Sequence, residues 1–186
     1  LLSRGLGDVY KRQALEAVTD QHNLSSAHAT FVERDQVAAF EAAGWLIREG
    51  TQFHWQNQRF GSFDDFLDTL ASRKRKAIRK ERAAAVEGLT IRHLTGREIG
   101  SREWDAFWTF YQDTGARKWG RPYLTRSFFP LLGEQMGERV LLILAERDGV
   151  PIAGALNLIG GHALYGRYWG CTEDVPFLHF ELCYYQ

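Results

Sequence analysis

The sequence predicts a mixed α/β (α+β) protein in which helices pack against an antiparallel sheet. Three apolar segments lie close together in the second half of the chain, at residues 139–147, 151–159 and 162–170. Asp148-Gly149 and Gly160-Gly161 separate them, and such pairs suit tight hairpin turns because glycine adopts positive φ at little cost. The segments therefore predict an antiparallel meander, and helical periodicity on both sides of it predicts its packing partners.

Composition restricts the class of protein. The chain has 186 residues, of which 45% are hydrophobic, and this suits one large globular domain or two small ones. Lys and Arg number 23 and Asp and Glu number 23, so the chain as a whole is not a general polyanion binder. No apolar run approaches the roughly 18 residues of a membrane span. The only cysteines are Cys171 and Cys183, which predicts a reducing, cytoplasmic location.

The first part of the chain predicts short elements of alternating type. Residues 1–13 (LLSRGLGDVYKRQ) share no pattern with the rest of the chain and resemble a translated sequencing adapter, so they are not expected to belong to the fold. Gly44 is expected to stop a helix. The predicted elements are a short helix at 14–23, a strand at 27–32, a helix at 35–43 and one or two strands at 45–57.

One long helix is predicted from Ser62 to Gly88. Ser62 and Asp65 are spaced as in a capping box, in which a hydroxyl and a carboxylate satisfy free amides of the first turn. Gly88 suits the end of the helix, because glycine takes the left-handed conformation cheaply. Apolar residues at helical spacing predict a buried stripe, formed by Phe63, Phe66, Leu67, Leu70, Ala77 and Ile78.

This helix also concentrates positive charge. Its basic residues are Arg73, Lys74, Arg75, Lys76, Arg79, Lys80 and Arg82. One interpretation is a solvated face whose aliphatic stems cover the core. The other is a patch that binds the phosphates or carboxylates of a nucleotide-linked substrate, a tRNA or a cofactor. Under the second interpretation, Arg75 and Arg79 are the candidate substrate-binding residues.

The second half adds elements on both sides of the meander. Residues 89–94 predict a strand, 101–114 a helix with Ser101 as its cap, and 126–136 another helix. A last helix is expected to begin near Phe177. The core side of the 101–114 helix is expected to consist of Trp104, Phe107, Trp108 and Tyr111. The resulting order, strand–helix–helix–meander–helix, is that of an acyl-CoA N-acyltransferase (GNAT-like) half-domain.

Several aromatic-rich strings resemble the FemAB-like family of N-acyltransferases, which is labelled with peptidoglycan biosynthesis or recognition. They are SSAHATF at 25–31, QFHWQN at 52–57, FDDFLDTLASRKRKAIRKER at 63–82, KWGRPYLT at 118–125, RYWGC at 167–171 and FLHFELCYYQ at 177–186. The resemblance implies two facing GNAT-like halves, the first closed by a long basic helix. Residues 14–88 would be the C-terminal part of the first half, and 89–186 a second half truncated at its C-terminus.

The resemblance also implies transfer of an acyl group to an amine-bearing small molecule or peptide, such as a cell-wall peptide precursor. Such transfer needs a base for the amine and donors for the developing oxyanion. In GNAT-like folds the carbonyl sits against a backbone amide of the fourth strand, here near Trp169. His54 and His179 are the candidate bases, and Glu181 accompanies His179; hydrogen-bonded structural histidines are the alternative. No HExxH or CxxC motif occurs, so no metal site is expected.

Candidate substrate-binding residues lie in a loop and on the last strand of the meander. Lys118, Trp119 and Tyr123 combine a cation with aromatic rings in a long connection of the kind that often lines a cleft. Arg167 and Tyr168 open the string RYWGC. Its last residue, Cys171, could carry an acyl group as a nucleophile or fill space as a small buried hydrophobe.

The turn after this strand bears on the acyl donor. Ordinary GNAT enzymes hold the pyrophosphate of coenzyme A there with a basic, glycine-rich loop, whereas residues 171–176 read CTEDVP and are acidic. This departure disfavours acyl-CoA and favours an aminoacyl-tRNA, whose backbone the basic helix could contact. No tightly bound cofactor is expected. Two alternatives to an acyltransferase stay open: a non-catalytic module that recognises peptide or muropeptide, and a nucleic-acid binder.

Overall fold

The computed structural model describes residues 2–117 and 122–186, with side chains from residue 10 onward. The chain divides into two compact units, Leu1–Asn57 and Gln58–Gln186. The division predicted at residue 88 concerns half-domains of a larger fold, and it stays a prediction.

The first unit is built from two helices, α1 at Leu2–Gln21 and α2 at Arg34–Ala42. Trp45 connects them, because its indole donates to the Glu16 carboxylate at 2.6 Å and its ring meets the edge of Phe40 at 5.0 Å. This hydrogen bond, followed by one from Arg12, lowers the pKa of Glu16. The predicted helix at 35–43 is confirmed, whereas the short helix predicted at 14–23 is the end of a longer one that begins at Leu2.

The strands predicted at 27–32 and 45–57 are wrong. Within the described residues the only sheet lies in the second unit, and these two segments are irregular. An extended segment becomes a strand only when a neighbour takes its backbone hydrogen bonds, and sequence alternation alone does not supply that neighbour. Phe31 also adopts a φ of 57°, which interrupts extended backbone within the first predicted strand.

The predicted long helix at 62–88 is two helices, α3 at Phe63–Asp68 and α4 at Ser72–Ala85. The break has a local cause: the Thr69 hydroxyl donates back to the Phe66 carbonyl at 2.7 Å, and Ala71 leaves the helical region with a ψ of 142°. The predicted capping box is confirmed, since Ser62 Oγ accepts from the Asp65 amide while the Asp65 carboxylate accepts from the Ser62 amide. Gly88 has the expected positive φ, 68°.

The predicted meander is confirmed, and a fourth strand extends it. The strands are β1 at Thr90–Thr95, β2 at Val140–Arg147, β3 at Val150–Ile159 and β4 at Leu164–Cys171. They pair antiparallel in the order β1-β2-β3-β4. Asp148 and Gly149 turn between β2 and β3 with φ values of 50° and 75°, as a tight hairpin of this kind requires.

Helices cover both faces of this sheet. On one face α5, at Ser101–Arg117, buries Phe107 and Phe110 against the strands, and α6, at Phe128–Met136, adds Phe129. The predicted cap Ser101 is the first helical residue, and the amide before it, that of Gly100, is satisfied by the Glu103 carboxylate.

On the opposite face, Leu178 and Leu182 pack against the strands. They belong to α7, at Leu178–Phe180, and to the π-helical turn Glu181–Tyr185 that continues it. The helix predicted to begin near Phe177 is therefore confirmed. β4 is an edge strand because it is last in the order of the sheet, and its Trp169 contacts both α5, through Thr114, and α7, through His179.

Candidate functional site

The edge strand β4 has an irregularity where the predicted site residues lie. Tyr168 pairs with Leu156 of β3, but Gly166 pairs with the next residue, Asn157, so Arg167 is an extra residue in β4. A bulge of this kind leaves the extra residue outside the ladder and re-aims the side chains beside it. Arg167, Tyr168 and Trp169 therefore occupy the most irregular part of the sheet edge.

Three predicted binding residues meet on one side of this bulge, and we call them the Tyr–Arg cluster: Tyr123, Arg167 and Tyr168. The hydroxyls of Tyr123 and Tyr168 are 2.6 Å apart, and Arg167 Nη2 donates to the Tyr123 hydroxyl at 2.9 Å. The Arg167 guanidinium also lies over the Tyr168 ring, 4.2 Å from its centroid. The ring of Tyr111 on α5 packs edge-to-face against the Tyr168 ring, with 5.2 Å between the ring centroids.

The Tyr–Arg cluster is a set of hydrogen-bond donors near solvent. Burial, and then the hydrogen bond with Tyr123, raise the pKa of Tyr168, so its hydroxyl keeps its proton at neutral pH. Tyr123 is 71% exposed, which places one hydroxyl of the pair at the surface. Two phenols and a guanidinium in this arrangement can bind a carbonyl, carboxylate or phosphate oxygen.

A cavity of about 350 Å³ opens beside the next residue of β4, and we call it the Trp169 cavity. Its wall includes Trp169 and His179, whose rings are 5.1 Å apart between centroids. Two of the predicted catalytic residues are thus neighbours. His179 is exposed, so a group bound in the cavity can come within hydrogen-bond reach of its ring.

The end of α5 binds the outer carbonyls of β4 along this cavity. The Thr114 hydroxyl donates to the Trp169 carbonyl at 3.1 Å, and Arg117 Nη2 donates to the Cys171 carbonyl at 2.7 Å. Asp113 forms an ion pair with Arg117 and, as the main cause, raises its pKa. The Cys171 side chain is buried in a hydrophobic cluster, which suits the interpretation of a small hydrophobe, and its Sγ also lies 3.7 Å from Arg117 Nη2.

The acidic turn after β4 forms another part of the cavity wall. Glu173 pairs with Arg147 at 3.1 Å. Asp174 is exposed, and no hydrogen-bond or ion-pair partner is found for it among residues 2–117 and 122–186. The Trp169 cavity therefore carries one carboxylate whose charge is not balanced within the described chain.

Glu181 lies elsewhere. It is 1% exposed, and its carboxylate receives two hydrogen bonds of 2.9 Å from Arg82 of α4 and one of 2.6 Å from Gln186. The Arg82 guanidinium also packs over the Phe63 ring at 4.3 Å. These contacts favour a structural role, and the proposed part of Glu181 in catalysis stays a prediction.

The remaining predicted residues are His54, Lys118 and Trp119. His54 belongs to the first unit, where it is exposed and its Nε2 is 3.2 Å from the side-chain oxygen of Gln52. Its role as a base stays a prediction. Lys118 and Trp119 lie outside the described residues.

The arginines of α4 mostly hold the fold together. Arg75 pairs with Asp68 at 3.2 Å and Arg79 with Asp64 at 2.8 Å, so both predicted binding residues attach α4 to α3. Arg73, Lys74, Lys76 and Lys80 are exposed, and no partner is found for them within the described ranges. The sequence therefore indicated a basic face but not which of its cations are unpaired. The carboxylates that pair with Arg75 and Arg79 come from the separate helix α3.

Residues 9–186 match the family model described as FemAB-like, peptidoglycan biosynthesis/recognition. The chain belongs to the FemAB-like family. The match confirms the resemblance seen in the aromatic strings and assigns the chain a peptidoglycan-related role. No curated protein sequence matches the chain. In the part of this FemAB-like chain that the structure describes, no helix combines the length and the apolar character that crossing a bilayer requires.

Proposed function

We propose that this FemAB-like chain is an N-acyltransferase that transfers an acyl or aminoacyl group to an amine of a cell-wall peptide precursor. The observation that carries the proposal is the bulged edge strand β4, with the Tyr–Arg cluster at the bulge and the Trp169 cavity one residue further along. These two features offer separate places for a carbonyl oxygen and for an amine.

The order of elements in the second unit supports a GNAT-like fold for this chemistry. A strand, two helices, three further antiparallel strands and a helix follow one another, and β4 is then the fourth strand of that fold. In such a fold the fourth strand presents a backbone amide to the acyl carbonyl. The bulge leaves Arg167 outside the pairing with β3, and an amide outside the ladder is a suitable oxyanion donor.

The proposed step needs no side-chain nucleophile. The amine nitrogen attacks the acyl carbonyl, a C–N bond forms, and the bond from carbonyl carbon to the donor oxygen breaks. The Tyr168 hydroxyl, which keeps its proton, and the amide at the bulge stabilise the oxyanion. His179 accepts the proton that the attacking amine loses and returns it to the departing oxygen, which leaves as a hydroxyl group.

An aminoacyl-tRNA fits this chain better than acyl-CoA as donor. In a GNAT-like fold the coenzyme A pyrophosphate would sit at the turn after β4, where the Asp174 carboxylate, which no described residue balances, would repel it. The exposed cations of α4, namely Arg73, Lys74, Lys76 and Lys80, suit contacts to a phosphodiester backbone that do not depend on base sequence.

A non-catalytic recognition module is the second candidate. The family description names recognition beside biosynthesis, and the Tyr–Arg cluster with its stacked guanidinium can bind a peptide carboxylate without any base.

A transfer assay with labelled donors distinguishes the two candidates. Charged tRNA and acetyl-CoA are offered separately with an amine-bearing muropeptide, and the labelled product is isolated. Acylated muropeptide from the charged tRNA is the expected result. If calorimetry shows that the muropeptide binds but neither donor gives a product, the transferase proposal is rejected in favour of the recognition module.

A further inference from the structure

We propose that the Trp169 cavity binds a primary alkylammonium group, and, resting on the proposed function, that this group belongs to the acyl acceptor. The cavity has a volume of about 350 Å³, within the roughly 300–1,000 Å³ of small-molecule sites. Its ligand class follows from the balance of charge and from the aromatic wall.

The charges around the cavity leave one carboxylate without compensation. The Arg117 guanidinium is engaged by Asp113 and by the Cys171 carbonyl. Glu173 is paired with Arg147. Only the Asp174 carboxylate is left without a partner among the described residues that line the cavity, so the cavity as a whole favours a cation.

The walls suit an alkyl chain that ends in an ammonium group. The Trp169 indole lies against His179, is half-buried and lines the cavity. A tryptophan face attracts an ammonium group through its quadrupole, and Val175 and Leu178 provide apolar surface for methylene groups. The Asp174 carboxylate would repel an anion, and a neutral alcohol would bind more weakly than an ammonium group because it forms no ion pair with Asp174.

The adjacent carboxylates Glu173 and Asp174 offer a matched pair of variants. Asp174→Asn removes the charge without a partner, whereas Glu173→Gln removes a charge that Arg147 already balances. An ion pair at an exposed carboxylate is screened by solvent, so its loss weakens binding about two- to fivefold. Asp174→Asn should therefore weaken binding by about that factor, and Glu173→Gln should change it little.

The test is a titration of the full chain with butylammonium chloride, followed by the tryptophan indole NMR signals, with Trp169→Phe used to assign the Trp169 signal. Butanol and butyrate serve as neutral and anionic probes. The proposal expects saturable shifts of the Trp169 signal by butylammonium alone, with weaker binding in Asp174→Asn and unchanged binding in Glu173→Gln. Equal responses to butanol, or equal responses of the two carboxylate variants, would overturn it.

The outcome is separable from that of the proposed function, because the titration contains no acyl donor. If butylammonium binds as described and no acyl transfer occurs, the ammonium site stands and the transferase proposal fails. If muropeptide is acylated while the Trp169 signal does not respond to butylammonium, the transferase proposal stands and the ammonium site is refuted.

Discussion

Replacing Arg82 by methionine should strongly destabilise the second unit. The side chain keeps its apolar stem, so the change chiefly removes the guanidinium that gives the Glu181 carboxylate two hydrogen bonds of 2.9 Å. Glu181 is 1% exposed and would be left as a buried charge, with Gln186 as its remaining side-chain hydrogen-bond partner among the described residues. Breaking a buried pair from one side costs about 3–5 kcal/mol, and because Arg82 itself is 26% exposed we expect the lower end of this range.

The assay is urea unfolding followed by circular dichroism. Lys80→Met on the same helix is the matched control, since Lys80 is exposed and an unpartnered surface position should change the free energy of unfolding by less than about 0.5 kcal/mol. The double variant Arg82→Met with Glu181→Leu should regain most of the loss, because it removes the unpaired charge. A loss below about 1 kcal/mol in Arg82→Met, or no recovery in the double variant, would refute the assigned role of the pair.

Three further predictions concern the sheet edge and the basic helix. Gly170→Ala should cost about 2 kcal/mol or more of unfolding free energy, because the new methyl group would collide with the Phe110 carbonyl, whereas Gly161→Ala, with nothing within 4 Å of its added carbon, should be nearly neutral by urea unfolding. A fold of equal stability in both variants would contradict the close passage of α5. The raised pKa of Tyr168 predicts stability that is complete below the unfolded tyrosine value of about 10 and falls as the pH rises further, and a pH series of unfolding curves should show less of this fall in Tyr168→Phe. Identical alkaline profiles would argue against the burial of Tyr168. Lys76→Gln with Lys80→Gln should weaken binding of charged tRNA and reduce the slope of its salt dependence, measured by filter binding, by about 1.4–1.8, because each phosphate contact contributes about 0.7–0.9. An unchanged slope would remove α4 from the donor site.

The sequence predicted the meander well because its signals are local. Asp148-Gly149 and Gly160-Gly161 indicated the turns, and three apolar segments can pair with their immediate neighbours without information from elsewhere in the chain. The helix at 101–114 was equally clear, since Trp104, Phe107 and Tyr111 at helical spacing are all buried. Elements of this kind depend on contacts between residues close in sequence.

The wrong predictions concern features that depend on contacts with residues distant in sequence, which a local sequence pattern does not identify. The segments 27–32 and 45–57 alternate as strands do, but no neighbouring strand pairs with them in the described chain. The long helix breaks at Ala71, and the separate helix α3 brings Asp64 and Asp68 to the arginines that had been assigned to ligand binding. Arg82 and Glu181 lie 99 residues apart, so nothing in either local string indicates their ion pair.

At the site, the sequence indicated the correct strand, β4, but not that its residues belong to two separate features, the Tyr–Arg cluster and the Trp169 cavity. Arg167 and Tyr168 join Tyr123 at the bulge, while Trp169 joins His179 at the cavity. The bulge that separates them arises from the mismatch between β3 and β4, and no single string predicts it. What the sequence did show was the aromatic string RYWGC at 167–171, which marked this strand as part of the site.

Acyl transfer to an amine at the edge strand β4 is the proposal on which the assigned roles of Tyr168 and His179 depend. The decisive experiment is the rate of transfer from charged tRNA to a muropeptide amine, compared between the wild-type chain and Tyr168→Phe. We expect kcat to fall about 100-fold while the KM for the amine changes little, because a donor to the oxyanion is lost. Equal kcat values, or no transfer by the wild-type chain from any donor, would contradict the proposal.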